Sequence, residues 1–250
     1  MNKIFFATLL LAFSLVACKS DTTTSSNNAS NSYTGLTATR ASQTISVDGL
    51  IDKAWDNAPW HKIDQVWLGF HVQPQDFSGQ YKIKYDEDHL YILAAITDER
   101  LYKQSEDGLV NYWDDDCLEI FIDEDRSMGN HQYNHSAFAY HIGLDGKVAD
   151  IGPDSLPHYY NDHIKSVKKS AGMKHIWELS MKIYDDSYVD GGTNSPVKLA
   201  KDKVMGFAIA YCDNDGSKER EHFIGSTVVE GDDKNRGWID AGIFEELRLK

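Results

Sequence analysis

Carboxylates are the first residues in this chain whose types and spacing invite chemistry. Glu119 and Asp123 lie four residues apart on one face of the run LEIFID. At about 3.3 Å per residue they stand about 13 Å apart, beyond the roughly 5 to 9.5 Å that glycoside hydrolysis needs between its two carboxyl groups. Asp114, Asp115 and Asp116 cluster at the mouth of the same run, a pattern that reads as a solvated or ion-binding turn. His131, His135 and His141 fall within eleven residues; a metal site is one reading of them, with hydrogen-bonding or surface roles as the default. No G-x-S-x-G elbow, H-E-x-x-H pair or P-loop occurs. The titratable residues therefore give no positive sign of an active site.

The aromatic residues carry a different chemistry. Trp113 stands at the entrance to the run Asp116–Asp123, and Glu119 follows six residues later on the face opposite Leu118 and Ile120. Asn235-Arg236-Gly237-Trp238 sets a second Trp in a polar, glycine-containing loop. Neutral sugars are held by stacking their C–H faces on Trp or Tyr, with a few polar groups fixing the hydroxyls. The chain has six Trp and thirteen Tyr, enough for stacking surfaces as well as core.

The elements that must position these residues read as strands. Tyr81-Ile83-Tyr85 alternates with Lys82 and Lys84, and His89–Thr97 is a nearly continuous apolar run. Leu118–Asp123 alternates; Ala137–Leu144 leads through Asp145-Gly146 to Val148–Ile151. His175–Tyr184, Gly206–Cys212, His222–Val229 and Ile243–Leu249 complete the set. Short strands broken by frequent turn signals predict an all-β fold, an antiparallel β-sandwich in one domain with few short helices. The one helical signal is Asp52–Ala58, with Trp55 packed on the core.

The N-terminus sets the compartment. Lys3 followed by the apolar run Ile4–Val16 has the length of a signal-peptide core and is too short to span a bilayer. It ends in Leu15-Val16-Ala17-Cys18, which resembles the bacterial lipobox. Residues 1–17 are expected to be a signal peptide and Cys18 to be acylated, making the protein an exported lipoprotein held to a membrane by lipid alone. Lys19, in place of Asp, implies the outer membrane by resemblance to enteric sorting. Residues 18–40 are expected to be a polar tether, with folding beginning between Leu36 and Thr44 and the domain set at 41–250.

One of the 25 basic residues, Lys3, falls in the leader, so 24 face 39 acidic ones, a net charge of −15. Such a surface disfavours nucleic acid and acidic glycans and suits neutral ligands or divalent cations. Cys117 and Cys212 remain after Cys18; they either pair in an oxidising compartment or serve as small buried hydrophobes.

Six ordered segments resemble the family 9 carbohydrate-binding modules, part of the DOMON-like β-sandwich group. They are ISVDGLIDKAW, YKIKYDEDHLYILAAITDE, WDDDCLEIFID, WELSMKIY, GFAIAYCDNDG and GIFEELRL. The resemblance runs from Ile45 to Leu249 and implies a non-catalytic, jelly-roll-like module binding an oligosaccharide or polysaccharide. It implies a sugar held between Trp113 and Trp238, with Glu119 and Asn235 as polar contacts. The chain departs from the family where an Arg is usual; Ala139-Tyr140-His141 stands there, so Tyr140 or His141 is expected to substitute. Structural calcium is implied too, with Asp98, Asp116, Asp213 and Asp215 as oxygen donors; no organic cofactor is expected. Family modules are usually appended to glycoside hydrolases, which makes such enzymes expected partners in carbohydrate catabolism. An alternative is a b-haem electron-transfer module, because some DOMON-like relatives ligate haem with Met and His or Lys; Met128, Met173, Met181 and Met205 are the methionines available. The other alternative is an accessory subunit of a glycoside hydrolase.

Overall fold

The structure, a computed structural model, describes residues 34–250. Residues 1–17, Cys18 and the first part of the expected tether lie outside the described residues.

Fourteen strands follow in chain order. They are β1 (Leu36–Arg40), β2 (His61–Ile63), β3 (Gln65–Leu68), β4 (Phe77–Tyr85), β5 (Leu90–Asp98), β6 (Cys117–Asp123) and β7 (Phe138–Gly143). Then come β8 (Val148–Ile151), β9 (Pro157–Tyr159), β10 (Ile164–Ala171), β11 (Lys174–Met181), β12 (Val204–Asp213), β13 (His222–Gly225) and β14 (Glu245–Leu249). Helical structure among the described residues is limited to four single 3₁₀ turns, one of them Lys53–Trp55. The fold is the expected all-β sandwich.

The strands form one path, β10-β11-β5-β4-β1-β14-β12-β6-β7-β8-β9, with β2 on β4, β13 on β12 and β3 on β13. Every pairing is antiparallel except those of β1, which runs parallel to β14 at Leu36–Ala38 and parallel to β4 at Thr39 and Arg40. β1 therefore changes sheets along its own length and joins the two halves. It falls within the stretch expected to be tether; its alternation of buried Leu36 and Ala38 with more exposed Thr37 and Thr39 is too short to mark a strand in a Ser/Thr-rich context.

The core lies between the halves. Ile83, Tyr85, Leu90, Ile92 and Trp177 from one half meet Leu118, Ile120, Phe138, Tyr140, Phe207 and Tyr211 from the other. β5 reads as continuously apolar because both its faces are covered: Tyr91 and Leu93 pack with Ile45 and Trp55 on the outer side. The same cover buries Lys82 and Lys84, whose ammonium groups donate to the carbonyls of Trp55 and Ala54 at 2.8 and 2.7 Å. β10 escapes sequence reading because IKSVKKSA is an edge strand, kept polar by lysines that discourage further pairing.

Glu178 of β11 locks the N-terminal loop onto this scaffold. Its buried carboxylate accepts from the backbone N–H groups of Asp48 and Gly49 at 2.7 and 2.8 Å and from Trp55 Nε1 at 2.9 Å. Gly49 sits at φ +75°, where a side chain would be strained and would press on Val167 and Lys169.

A buried imidazole sits behind β7. Tyr140 Oη donates to His163 Nδ1 at 2.7 Å, while His163 Nε2 has no partner. Burial is the main cause that lowers the His163 pKa to about 4. A folded-state value below the ordinary 6.5 means that this group's stabilisation is complete above pH 6.5 and is lost as pH falls through 4. Its share is about 3 kcal/mol by linkage. Proton-detected titration of the imidazoles is expected to show His163 still neutral at pH 5; an ordinary midpoint near 6.5 would contradict this.

Candidate functional site

β6, β7 and β12 turn alternate side chains outward, away from the main core. Cys117, Glu119 and Phe121 on β6 share this outer face with Ala139 and His141 on β7 and Ala208, Ala210 and Cys212 on β12, following the registers Glu119↔His141 and Cys117↔Cys212. The alanines leave room that larger residues would fill, and loops rise around the space. The result is a cavity of about 270 Å³ lined by Trp113, Glu119, His141, Arg220, Asn235 and Trp238, among others. That is near the lower end of small-ligand sites, about 300 Å³.

Each Trp is held by its own loop. Trp113 lies in a 3₁₀ turn, Tyr112–Asp114, entered through Asn111 in the left-handed region at φ +51°. Its ring packs edge-on to buried Tyr112 at 5.1 Å and stays 37% exposed. Trp238 ends the turn Arg236–Trp238. That turn can sit down on β6 because position 237 is glycine: a Cβ there would come within 2.8 Å of the Phe121 ring. His131 Nε2 on the Gly237 carbonyl at 2.8 Å and an Asn130–Asp240 bridge tie the loop to the β6–β7 connection.

The polar groups form one network. Glu119 Oε2 lies 3.2 Å from His141 Nε2, and both side chains are buried. Burial opposes charge on His141, yet the Glu119 carboxylate beside it holds its pKa above the ordinary value. His141 Nδ1 faces the Ala139 carbonyl at 3.1 Å, and Tyr112 packs edge-on against the ring at 4.8 Å. Arg220 donates to the Trp113 carbonyl at 3.2 Å, to Asn235 Oδ1 at 2.9 Å and to Cys212 Sγ at 3.0 Å, with its guanidinium 4.1 Å from the centre of the Phe223 ring. One side chain thus joins both Trp-bearing loops. Asp150, also lining the cavity, is pushed up to about 6 by burial, against the backbone N–H groups of Ala139 and Ile151 that favour its charged form.

The four residues expected from sequence, Trp113, Glu119, Asn235 and Trp238, meet in this one cavity. Of the two candidates for the missing Arg, the structure separates one from the other. Strand parity sends His141 into the cavity and Tyr140 to the opposite face, where it is buried in the core against Phe138 and His163. Tyr140 is therefore not a cavity residue. Arg220 and Asp150 went unmarked in the sequence, and His131 was noted there only as one of three neighbouring histidines; Arg220 sits in the charged run Lys218-Glu219-Arg220-Glu221, which carries no local signal.

A second cluster lies at the end of β5, β6 and β12. Carboxylate oxygens of Asp98, Asp116 and Asp213 fall within 4.8 Å of one another, all three residues buried. Burial, then the charge of Asp98, pushes Asp116 up to about 9; burial also raises Asp213 to about 7 against the pull of His222, which sits 2.9 Å away. None of the three forms an ion pair with Lys or Arg among the described residues. Asp215 does not join this trio but groups with Asp76 and Glu99, neither of which the sequence marked. The methionines proposed for haem line no part of the main cavity; Met181 and Met205 are packed in the core. Cys117 and Cys212 are free, buried thiols.

Residues 47–250 match a family described as carbohydrate family 9 binding domain-like. The chain is 25% identical over 238 residues to an endo-1,4-beta-xylanase A of Thermotoga neapolitana, matching 92% of this chain and 20% of that protein. It is 28% identical over 204 residues to the exoglucanase XynX of Acetivibrio thermocellus, matching 81% of this chain and 16% of the relative. It thus spans about a fifth or less of these enzymes. Among solved structures, a family 9 carbohydrate-binding module from Caldicellulosiruptor kristjanssonii in complex with cellotriose superimposes with a TM-score of 0.64 at 18% identity, over 86% of this chain and 93% of that one. That likeness is one of fold.

Proposed function

The chain belongs to the family 9 carbohydrate-binding domains, non-catalytic binding modules, and from that premise we propose that its cavity captures neutral glycans or their ends between Trp113 and Trp238. The observation that carries this reading is the convergence of two loop Trp residues, Glu119 and Asn235 on one small cavity. Stacking supplies the apolar contact. Glu119 accepts from sugar hydroxyls, Asn235 offers its amide N–H, and His141 with Arg220 stands where further donors are needed. The relatives support a xylo- or cello-oligosaccharide ligand: the matched proteins are named as a xylanase and an exoglucanase, and the similar module was solved with cellotriose. Titrating cello- and xylo-oligosaccharides against the purified domain is expected to shift its Trp fluorescence with saturation; a flat response to both series would reject the reading.

Cys18 completes the proposal. Its lipobox-like context supports acylation and export, which would hold the module at the outer membrane and concentrate glycan for hydrolases acting in carbohydrate catabolism. Metabolic labelling with an alkyne fatty acid is expected to mark the wild type and not Cys18→Ser.

We also read Asp98, Asp116 and Asp213 as calcium ligands. Three buried carboxylates with oxygens within 4.8 Å of one another, raised in pKa by burial and by neighbouring carboxylates, suit a hard divalent cation with oxygen donors. At about 100-fold excess over its Kd such an ion adds about 2.7 kcal/mol. Chelation is therefore expected to lower Tm by roughly 5 to 11 °C for a domain of this size. Asp116→Asn is expected to melt at the same temperature with and without chelator; an equal chelator effect in both proteins would remove the assignment.

A further inference from the structure

We propose that Glu119, His141 and Cys212 form a second metal site, selective for a zinc-class transition ion and overlapping the glycan cavity. Their ligand atoms, one each, lie within 4.8 Å of one another and all three residues are buried. The two separations from Glu119 match a tetrahedral ion. Bond lengths of about 2.0–2.2 Å to N and O and about 2.3 Å to S place tetrahedral O and N about 3.3 Å apart, and O and S about 3.6 Å apart. The structure has Glu119 Oε2 at 3.2 Å from His141 Nε2 and 3.8 Å from Cys212 Sγ. One small inward shift of each side chain completes three bonds.

The surroundings favour this chemistry over the oxygen cluster described above. Imidazole and thiolate prefer zinc-class ions, whereas calcium takes oxygen donors. His141 is already oriented as zinc-bound histidines are, its other nitrogen facing the Ala139 carbonyl. The Arg220 guanidinium, 3.0 Å from Cys212 Sγ, stabilises the thiolate from outside the ion's shell. Coordination expels the thiol proton, and the proton of His141 Nε2 where it is held, to solvent. Glu119 and His141 line the cavity, so a fourth ligand would enter from there. The ion takes the oxygen that the glycan needs, so metal and sugar compete; this last step rests on the proposed function, the site itself does not.

Cobalt(II) added to the full-length protein, reduced with a non-chelating phosphine, tests the site directly. The wild type is expected to develop a thiolate-to-cobalt charge-transfer band with intense tetrahedral d–d absorption, bleached by one equivalent of zinc. Cys117→Ser should keep the band, Cys212→Ser should lose it, and His141→Gln should weaken it at least tenfold in cobalt affinity, each variant first shown to melt cooperatively. Absence of the band in the reduced wild type, or its survival in Cys212→Ser, overturns the site. Saturating zinc is also expected to weaken oligosaccharide binding at least tenfold. Unchanged sugar affinity in zinc would overturn the overlap. A protein that binds no sugar while giving the cobalt band keeps the site and rejects the glycan reading alone.

Discussion

The double variant Trp113→Ala with Trp238→Ala is expected to lose measurable glycan binding while remaining folded. A central aromatic contact is worth about 2 kcal/mol on truncation, which is roughly 30-fold in affinity. Two such losses multiply to roughly 1,000-fold if the rings act independently, beyond detection for a module of modest affinity. Trp113 is partly exposed and rests on Tyr112, so its removal opens no cavity in the main core. Trp238 packs on the outer cluster with Phe121 and Phe244, and its removal is expected to cost some stability as well. Trp60 is the control: it is equally exposed, at 37%, but lies away from the cavity under the ammonium of Lys82. Calorimetric titration should give wild-type affinity for Trp60→Ala. Retained binding in the double variant would place the ligand elsewhere.

Glu178→Ala is expected to be the most destabilising single substitution on the outer face. The carboxylate accepts three N–H donors from a loop more than a hundred residues away in sequence. Truncation strands those donors beneath the cover formed by Ile45 and Trp55, and each buried donor left unpaired costs about 1–3 kcal/mol. The urea midpoint should fall accordingly at unchanged slope. Glu178→Gln keeps one acceptor oxygen and should recover part of the loss. A midpoint within experimental error of wild type for the Ala variant would show that the loop finds other partners.

These cases mark what a single sequence can convey. ISVDGLIDKAW and WELSMKIY were each recognisable as pieces, but nothing local told that Glu178 of one clamps Asp48, Gly49 and Trp55 of the other. β4, β5, β6, β7, β11 and β12 were legible because burial on one or both faces writes itself into alternation or a solid apolar run. β10 and β1 were not: the first is an edge that must stay polar, and the second has only two buried side chains. At the site, strand parity told which face Glu119 takes, while Trp113, in the turn ahead of that strand, and both residues' roles came from the resemblance to the family. The choice between Tyr140 and His141 needed register as well, because only the pairing of Glu119 with His141 and of Ile120 with Tyr140 tells which side each faces. Arg220 was invisible because its role comes from partners on two separate loops and on β12. Asp215 was grouped with the wrong carboxylates, its neighbour Asp213 pointing into one cluster while Asp215 joins Asp76 and Glu99.

The sheet-changing strand β1 has a mechanical consequence. A load pulling on the chain ahead of Leu36 enters the fold along β1, which is bonded on one flank to β14 and on the other to β4. Because both neighbours run parallel to it, tension along its axis shears these backbone bonds together instead of unzipping them singly from one end. A fold loaded through this strand would thus resist as a clasp, not a hem.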